Sequence, residues 1–474
     1  MDLDEFRSLA HQTTDWMADY LEGVENRPVR AQVQPGEVAA QLPTSAPDEG
    51  EPMSRIMADV DEIIMPGITH WQHPNFFAYF PANSSPPSVL AEMMTATIGA
   101  QCMLWQTSPA ATELETRVLD WLRQMIGLRE GFHGVIQDSA STAILTALLT
   151  AREKATDWNI NENGMAGGPV LTAYCTGETH SATEKGAKIA GFGRANVRKI
   201  ATLDGFGMDP AALETAITED IAAGRVPACV VASIGATGVG AVDPLRAVGE
   251  VCQRHGVFLH VDAAWAGTAL ILPEYQHWLD GQEYIDSLVF NPHKWMFTNF
   301  DCSAHFVRDA EALVRTFEIM PVFLTSRQGN QVIDYRDWGV PLGRRFRALK
   351  LWFVIRSYGV AGIQKMLRQH IELATELADQ IAAEPDFELT APRVLSLINF
   401  RYRPAGIDDP AALDQINEKL LHWLNDDGRT YFTQNRVNGA YSIRISIGQT
   451  RTERRHVQAA WELIKQAARE LTAS

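Results

Sequence analysis

Between residues 108 and 307 the chain alternates short apolar runs with stretches long enough for a helix. No other feature constrains the fold so much. The runs are Gly134–Gln137, Val170–Cys175, Val197–Ile200, Cys229–Ile234, Val257–Val261, Ser287–Asn291 and Ser303–Val307. Helical stretches such as Thr142–Lys154, Pro210–Ala223 and Leu245–His255 separate them. Strand and helix in alternation predict an α/β fold, a mainly parallel seven-stranded sheet between helices. Open sheets of this kind bind ligands beyond the carboxyl ends of their strands.

The flanks differ. Leu3, Phe6, Leu9, Thr13, Trp16, Tyr20 and Leu21 recur at helical spacing, with Gly23 as a stop. A terminal helix with one apolar stripe needs a partner surface, from a second chain or from its own. Prolines 28, 35, 43, 47 and 52 mark an extended connector before a helical stretch at 53–65. After Trp352 a long helix fits 360–384. Strands at Val394–Tyr402 and Ala440–Ile447 alternate with helices at about 410–424 and 453–470, a small α+β unit.

Composition excludes several classes. The 474 residues carry 41 Lys and Arg against 58 Asp and Glu, a net charge of −17, which disfavours nucleic-acid or anionic-membrane partners. Five cysteines, odd in number and without a CxxC pair, argue against a disulfide framework and against a metal site. The acidic start, Met-Asp-Leu-Asp-Glu, is no signal peptide, and no apolar run is long enough to span a bilayer. The expectation is a cytoplasmic protein.

A parallel sheet invites a search for nucleotide motifs. Gly235-Ala236-Thr237-Gly238-Val239-Gly240 has the wrong glycine order for a dinucleotide site, which leaves a nicotinamide-dependent dehydrogenase a weak rival, and there is no Gly-Lys-Ser/Thr loop. Asp138-Ser139-Ala140-Ser141-Thr142 follows a strand and opens an apolar helix. It serves as a plain helix cap or, through free amides, as a phosphate cradle. His260-Val261-Asp262-Ala263-Ala264 puts a carboxylate at one strand end, and Asn291-Pro292-His293-Lys294-Trp295 puts a lysine after the next. Cradle, carboxylate and lysine are the set that pyridoxal phosphate requires: an anchor for phosphate, a partner for the pyridine nitrogen, and an amine for the aldehyde.

These motifs resemble the group II pyridoxal-phosphate decarboxylases, in the branch of the aromatic L-amino-acid decarboxylases. The similarity also runs through His70-Trp71-Gln72-His73-Pro74, Phe77-Ala78-Tyr79-Phe80-Pro81, Glu113-Leu114-Glu115 and Pro341-Leu342-Gly343-Arg344-Arg345-Phe346-Arg347. It implies fold type I with three segments: an N-terminal helical dimerisation segment (1–85), a large cofactor domain (86–358) and a small C-terminal α+β domain (359–474). By the resemblance Lys294 carries the Schiff base, Asp262 pairs with the pyridine nitrogen and His180 stacks on the ring. Ser139, Ala140, Ser141, Asn291 and His293 surround the phosphate, and Thr237 and Ala264 lie near the ring. Trp71, Tyr79, Phe80 and Pro81 match the aromatic substrate pocket. Met103 matches a position donated across a homodimer interface at which the active site lies.

One residue departs from the pattern. Members of the family carry a loop tyrosine that protonates the substrate α-carbon after CO2 leaves. Phe323, in Pro321-Val322-Phe323-Leu324, stands at that position, and phenylalanine has no proton to give. A tyrosine-to-phenylalanine change there resembles the aromatic aldehyde synthases, which use O2 to release aldehyde, CO2, ammonia and hydrogen peroxide. The expectation is therefore an aldehyde synthase. The alternatives are a decarboxylase releasing the amine, with water or another group such as Tyr335 as acid, and a non-catalytic protein that merely binds the cofactor. Gly343 leaves room for a large ring, so tryptophan, DOPA, tyrosine and phenylalanine all stay open as substrates, while glutamate is disfavoured by the aromatic segment.

Overall fold

In a computed structural model, residues 1–319 and 331–473 are described, and they divide into two compact units. One comprises Ala82–Ile371 with Ala391–Leu397. The other comprises Met1–Pro81, Glu372–Thr390 and Ile398–Ser474, so the N-terminal segment and the C-terminal residues form a single body.

The first unit is built on seven strands: β1 (His133–Gln137), β2 (Leu171–Thr176), β3 (Val197–Ile200), β4 (Val226–Ser233), β5 (Phe258–Asp262), β6 (Ser287–Phe290) and β7 (Ser303–Val307). Their order is β1-β7-β6-β5-β4-β2-β3, and β7 alone runs against the rest. β2, β5, β6 and β7 are buried along their full length, as strands covered on both faces must be, and this explains their unbroken apolar reading. On one face the helix Ala140–Ala155 sets Ile144, Ala147, Leu148 and Ala151 against Ala173, Cys175, Cys229 and Val231. Small residues on helix and strands let the two approach closely. Gly235, just after β4, adopts φ +81°, and a Cβ there would lie 2.4 Å from Ala266. Two turns thus cross where no side chain fits.

Helix Pro86–Ile98 presents Leu90, Met94 and Ile98 outward at one-turn spacing, each at least half exposed. The long helix Ala348–Ala383 is interrupted at Gly359, whose φ of 64° breaks the helical path.

In the second unit, helix Leu3–Gly23 is capped by Asp2, whose carboxylate accepts from the amides of Asp4 and Glu5, and it buries none of its residues. Trp16 donates to Asp61 at 2.9 Å and Tyr20 meets His70 Nδ1 at 3.0 Å. Four strands follow: β8 (Phe387–Leu389), β9 (Leu397–Tyr402), β10 (Thr433–Val437) and β11 (Ala440–Ser446), in the order β10-β11-β9-β8. Helices Pro410–Asp427 and Arg454–Ala473 cover them, around a core that includes Phe387, Phe400, Ile443, Ile445, Leu420 and Trp461. Among the described residues no helix is long and apolar enough to cross a membrane, and all five cysteines are buried and free.

Candidate active site

The carboxyl ends of β1, β2, β4, β5 and β6 lie on one edge of the seven-stranded sheet, because β7 reverses direction between β6 and β1. The residues Ser139–Ser141, His180, Thr237, Ala264 and Asn291–Lys294 each sit just beyond one of those ends.

After β1, Ser139 is the cap of the helix Ala140–Ala155, its Oγ accepting from the amide of Thr142 at 3.3 Å. The amide of Ala143 is taken by the carbonyl of Ser139. That leaves the amides of Ala140 and Ser141 at the positive end of a sixteen-residue helix, the donors an anion would use. Capping and phosphate binding therefore do not compete, because different amides serve each.

Asp262 ends β5 and is almost fully buried. One carboxylate oxygen accepts from the amide of Ala264 at 3.0 Å, which orients the group and leaves the other oxygen for a ring N–H. Ala264 packs against Ala140, Ala143 and Val289, so the cradle and the carboxylate turn are in contact. The carbonyl of Ala264 accepts from the amide of Asn291 at 2.9 Å, which ties the turn after β5 to that after β6. Asn291 accepts at Oδ1 from the Ser303 hydroxyl at 2.6 Å, so its side-chain amide is turned to donate. His293 accepts at Nδ1 from the amide of Cys302. Burial, with the charge of Lys294 added, pushes its pKa down to about 3, which keeps it a neutral donor at Nε2.

His180 follows β2 and accepts at Nδ1 from the amide of Ala182 at 3.1 Å, which places the proton of the neutral ring on Nε2. Its pKa is lowered by burial, pulled up by the Asp262 carboxylate and pushed down by the Lys294 ammonium. The histidine, the carboxylate and the lysine thus share one electrostatic environment although 114 residues separate His180 from Lys294 (294 − 180). Thr237 lies half-buried in the loop after β4.

The expected substrate residues fall into both units. In the first, the Met103 carbonyl accepts from the amide of Arg336 at 3.0 Å. A Cβ on Gly343 would meet only Gln101, at 3.5 Å, an ordinary contact. In the second, Trp71 stacks on Tyr79 with centroids 5.6 Å apart, and the Tyr79 hydroxyl meets that of Tyr431 at 3.3 Å. Phe80 and Pro81 are buried beside this exposed shelf. Phe323 lies outside the described residues. Tyr335, the other phenol weighed as an acid, is buried among Val135, Val307, Leu313 and Trp338, with its hydroxyl on Thr116 at 3.0 Å. Burial raises its pKa, and it packs as part of the core.

Sequence reasoning missed Arg444. It stands on β11 with its guanidinium 4.3 Å from the centre of the Phe80 ring and one N–H on the Tyr79 carbonyl. Nε and Nη2 have no partner among the described residues, and burial alone pulls its pKa down to about 9. The signal was present as a charge in Ile443-Arg444-Ile445, inside an otherwise uncharged strand.

The donor set fits pyridoxal phosphate: two free helix amides and two side-chain donors for a phosphate, a half-used buried carboxylate, and a lysine beside a neutral histidine. Comparison with known proteins agrees. Residues 35–403 match the family described as pyridoxal-dependent decarboxylase conserved domain. A tryptophan decarboxylase of Camptotheca acuminata is 41% identical over 99% of this chain and 96% of its own length. A phenylacetaldehyde synthase of Arabidopsis thaliana is also 41% identical, over 99% and 96%. The crystal structure of Oryza sativa TDC with pyridoxal phosphate and tryptamine superposes with a TM-score of 0.96 at 38% identity, covering 99% of both chains. The chain belongs to the pyridoxal-dependent decarboxylases and is an enzyme of the branch that holds the aromatic amino-acid decarboxylases and aldehyde synthases.

Proposed function

We propose that the enzyme decarboxylates aromatic L-amino acids and releases the aromatic aldehyde, consuming O2 and water and yielding CO2, ammonia and hydrogen peroxide. Pyridoxal phosphate, when bound, supplies the electron sink that lets the carboxylate depart as CO2. Lys294 anchors it, Asp262 keeps the pyridine nitrogen protonated and His180 covers the ring. Ser139, Ala140, Ser141, Asn291 and His293 hold the phosphate, with Thr237 and Ala264 beside the ring. In the other unit the shelf of Trp71, Tyr79 and Phe80, with Pro81, suits an aromatic side chain, and Arg444 has two donors without a partner among the described residues.

The observation that carries the choice of product is Phe323. A phenylalanine at the family's acid position gives no proton to the substrate α-carbon, so oxidation by O2 outruns protonation. Overall similarity does not decide, since a decarboxylase and an aldehyde synthase match equally well, at 41% each. The second reading, release of the amine, draws on the relatives named decarboxylases. Purified enzyme given tryptophan, tyrosine, DOPA or phenylalanine, with amine, aldehyde and peroxide measured together, separates them. Aldehyde and peroxide in equal amounts are expected, and amine alone overturns the aldehyde reading. A kcat/KM that favours glutamate would overturn the aromatic one.

The working unit is a cytoplasmic homodimer whose active site takes Met103 from across the interface. The exposed apolar stripe Leu90, Met94 and Ile98, with Leu3 and Phe6 on the first helix, supports this assembly. Sedimentation at low protein concentration checks it, and a stable monomer with full activity contradicts it.

A further inference from the structure

The lysine sits on a helix of only four residues, Pro292–Trp295. One turn does not hold itself in place, since helix nucleation is unfavourable without tertiary support. Besides the pairing of His293 with Cys302, three contacts supply that support. The carbonyl of Lys294 accepts from the side-chain amide of Asn83 at 2.9 Å. The neighbouring indole of Trp295 is fully buried and stacks on Trp265, centroids 5.4 Å apart and planes 25° off parallel. The Trp295 Nε1–H donates to Nδ1 of His370 at 3.0 Å.

The partners join the two halves of the cofactor chemistry. Trp265 lies three residues beyond Asp262, so the Trp265–Trp295 stack ties the carboxylate turn to the lysine turn. His370, on the helix Ala348–Ala383, meets the edge of the indole at its N–H. Its own ring is nearly parallel to Trp295 (16°) and 6.1 Å from Phe297, two residues past the indole. It is buried, and because Nδ1 accepts, its ring proton resides on Nε2. Without that acceptor the indole N–H would be buried and unbonded, and Trp295 would turn to find another partner.

We propose that His370 is a positioning residue for Lys294: by accepting from Trp295 it fixes the rotation of the one-turn helix, and with it the direction in which the lysine amine points toward Asp262. The inference rests on the reading that Lys294 carries the cofactor. His370 itself touches neither cofactor nor substrate and acts only through the indole.

The test compares holoenzyme variants His370→Leu and His370→Asn. Leucine keeps bulk and removes the acceptor, whereas asparagine places an oxygen near the position of Nδ1. Cofactor release is followed as the visible absorbance that stays with the protein after gel filtration at intervals following dilution, and kcat and KM are measured with tryptophan. His370→Leu is expected to lose cofactor about tenfold faster and to lower kcat by a similar factor, with KM changed less than about twofold. His370→Asn is expected to recover both to within about threefold of the parent. Equal acceleration in the two variants, or release at the parental rate in His370→Leu, overturns the proposal. If His370→Leu does not fold, Trp295→Phe removes the donor while retaining a ring. Faster release then supports the proposal, and parental release overturns it. Lys294→Ala keeps the two readings apart. Visible absorbance that survives Lys294→Ala defeats the lysine assignment, whereas its loss there together with a parental His370→Leu defeats only the role of His370.

Discussion

The two compact units hold their candidate functional groups by different means. At the sheet edge each group is fixed through backbone: Asp262 by the amide of Ala264, His180 by the amide of Ala182, His293 by the amide of Cys302. In the other unit the shelf of Trp71 and Tyr79 is held by ring stacking and one phenol contact, remains substantially exposed, and overlies a buried cation with unused donors. Backbone bonds allow little movement, which suits groups that must meet a cofactor atom at a set distance. Stacked rings tolerate side chains of different size, which suits recognition of several aromatic substrates. On the proposed function, chemistry and selectivity are thereby separated, and mutations in the two places should fail differently.

The largest expected effect is at the sheet edge. Lys294→Ala should abolish visible cofactor absorbance and turnover together. Asp262→Asn should lower kcat on the order of a thousandfold with the fold intact, because it removes the charge that holds the pyridine proton. A decline confined to KM in Asp262→Asn would put that residue with the shelf instead. Next is the product switch: Phe323→Tyr should divert turnover from aldehyde and peroxide to amine, since a positioned acid is worth about a hundredfold or more in rate. An unchanged product ratio would remove Phe323 from the chemistry.

The shelf should give smaller and separable effects. Arg444→Met is expected to weaken kcat/KM by about tenfold to a hundredfold while the melting temperature holds or rises, because a buried cation with no acidic partner among the described residues costs stability. A drop in melting temperature with unchanged kcat/KM would make it a core residue after all. The smallest effect is on acid stability. Burial depresses His293 and His305 to about 3 and His260 well below its ordinary value, all in the sheet unit, and takes His73 to about 4 in the other. The unfolded chain protonates these rings near pH 6.5 while the folded one does not. Their contribution is therefore complete above pH 6.5 and is lost progressively as pH falls below it. The urea midpoint should fall between pH 6.5 and 4.5, and a flat midpoint would contradict the burial of these rings.

Much of the sheet edge was legible in the sequence, because parallel strands buried on both faces read as unbroken apolar runs and ligand residues follow their ends. All seven strands lie within a few residues of the runs that predict them. The C-terminal sheet was half legible. β9 and β11 carry Ile and Tyr toward the core, but β8 has only three residues and β10 reads Thr-Gln-Asn-Arg-Val with all but Val437 exposed or half-exposed, so neither looks apolar. Arg444 escaped because alternation predicts that Ser442, Arg444 and Ser446 face water, whereas the unit buries both faces of β11. His370 escaped for another reason. One histidine in a long amphipathic helix carries no local mark, and only the fold brings it to Trp295, 75 residues away.

The order of the strands has a consequence for synthesis. β1, which delivers the phosphate cradle, lies at the edge of the sheet, and its one neighbour is β7, with Gln137 paired to Ser303. A nascent chain that has made the cradle, the carboxylate and even the lysine still lacks the strand that pairs with β1 until residues 303–307 leave the ribosome. The capacity to take up cofactor should then appear in one step late in translation, so cofactor retention reports on completed assembly of the sheet and not on any part of it.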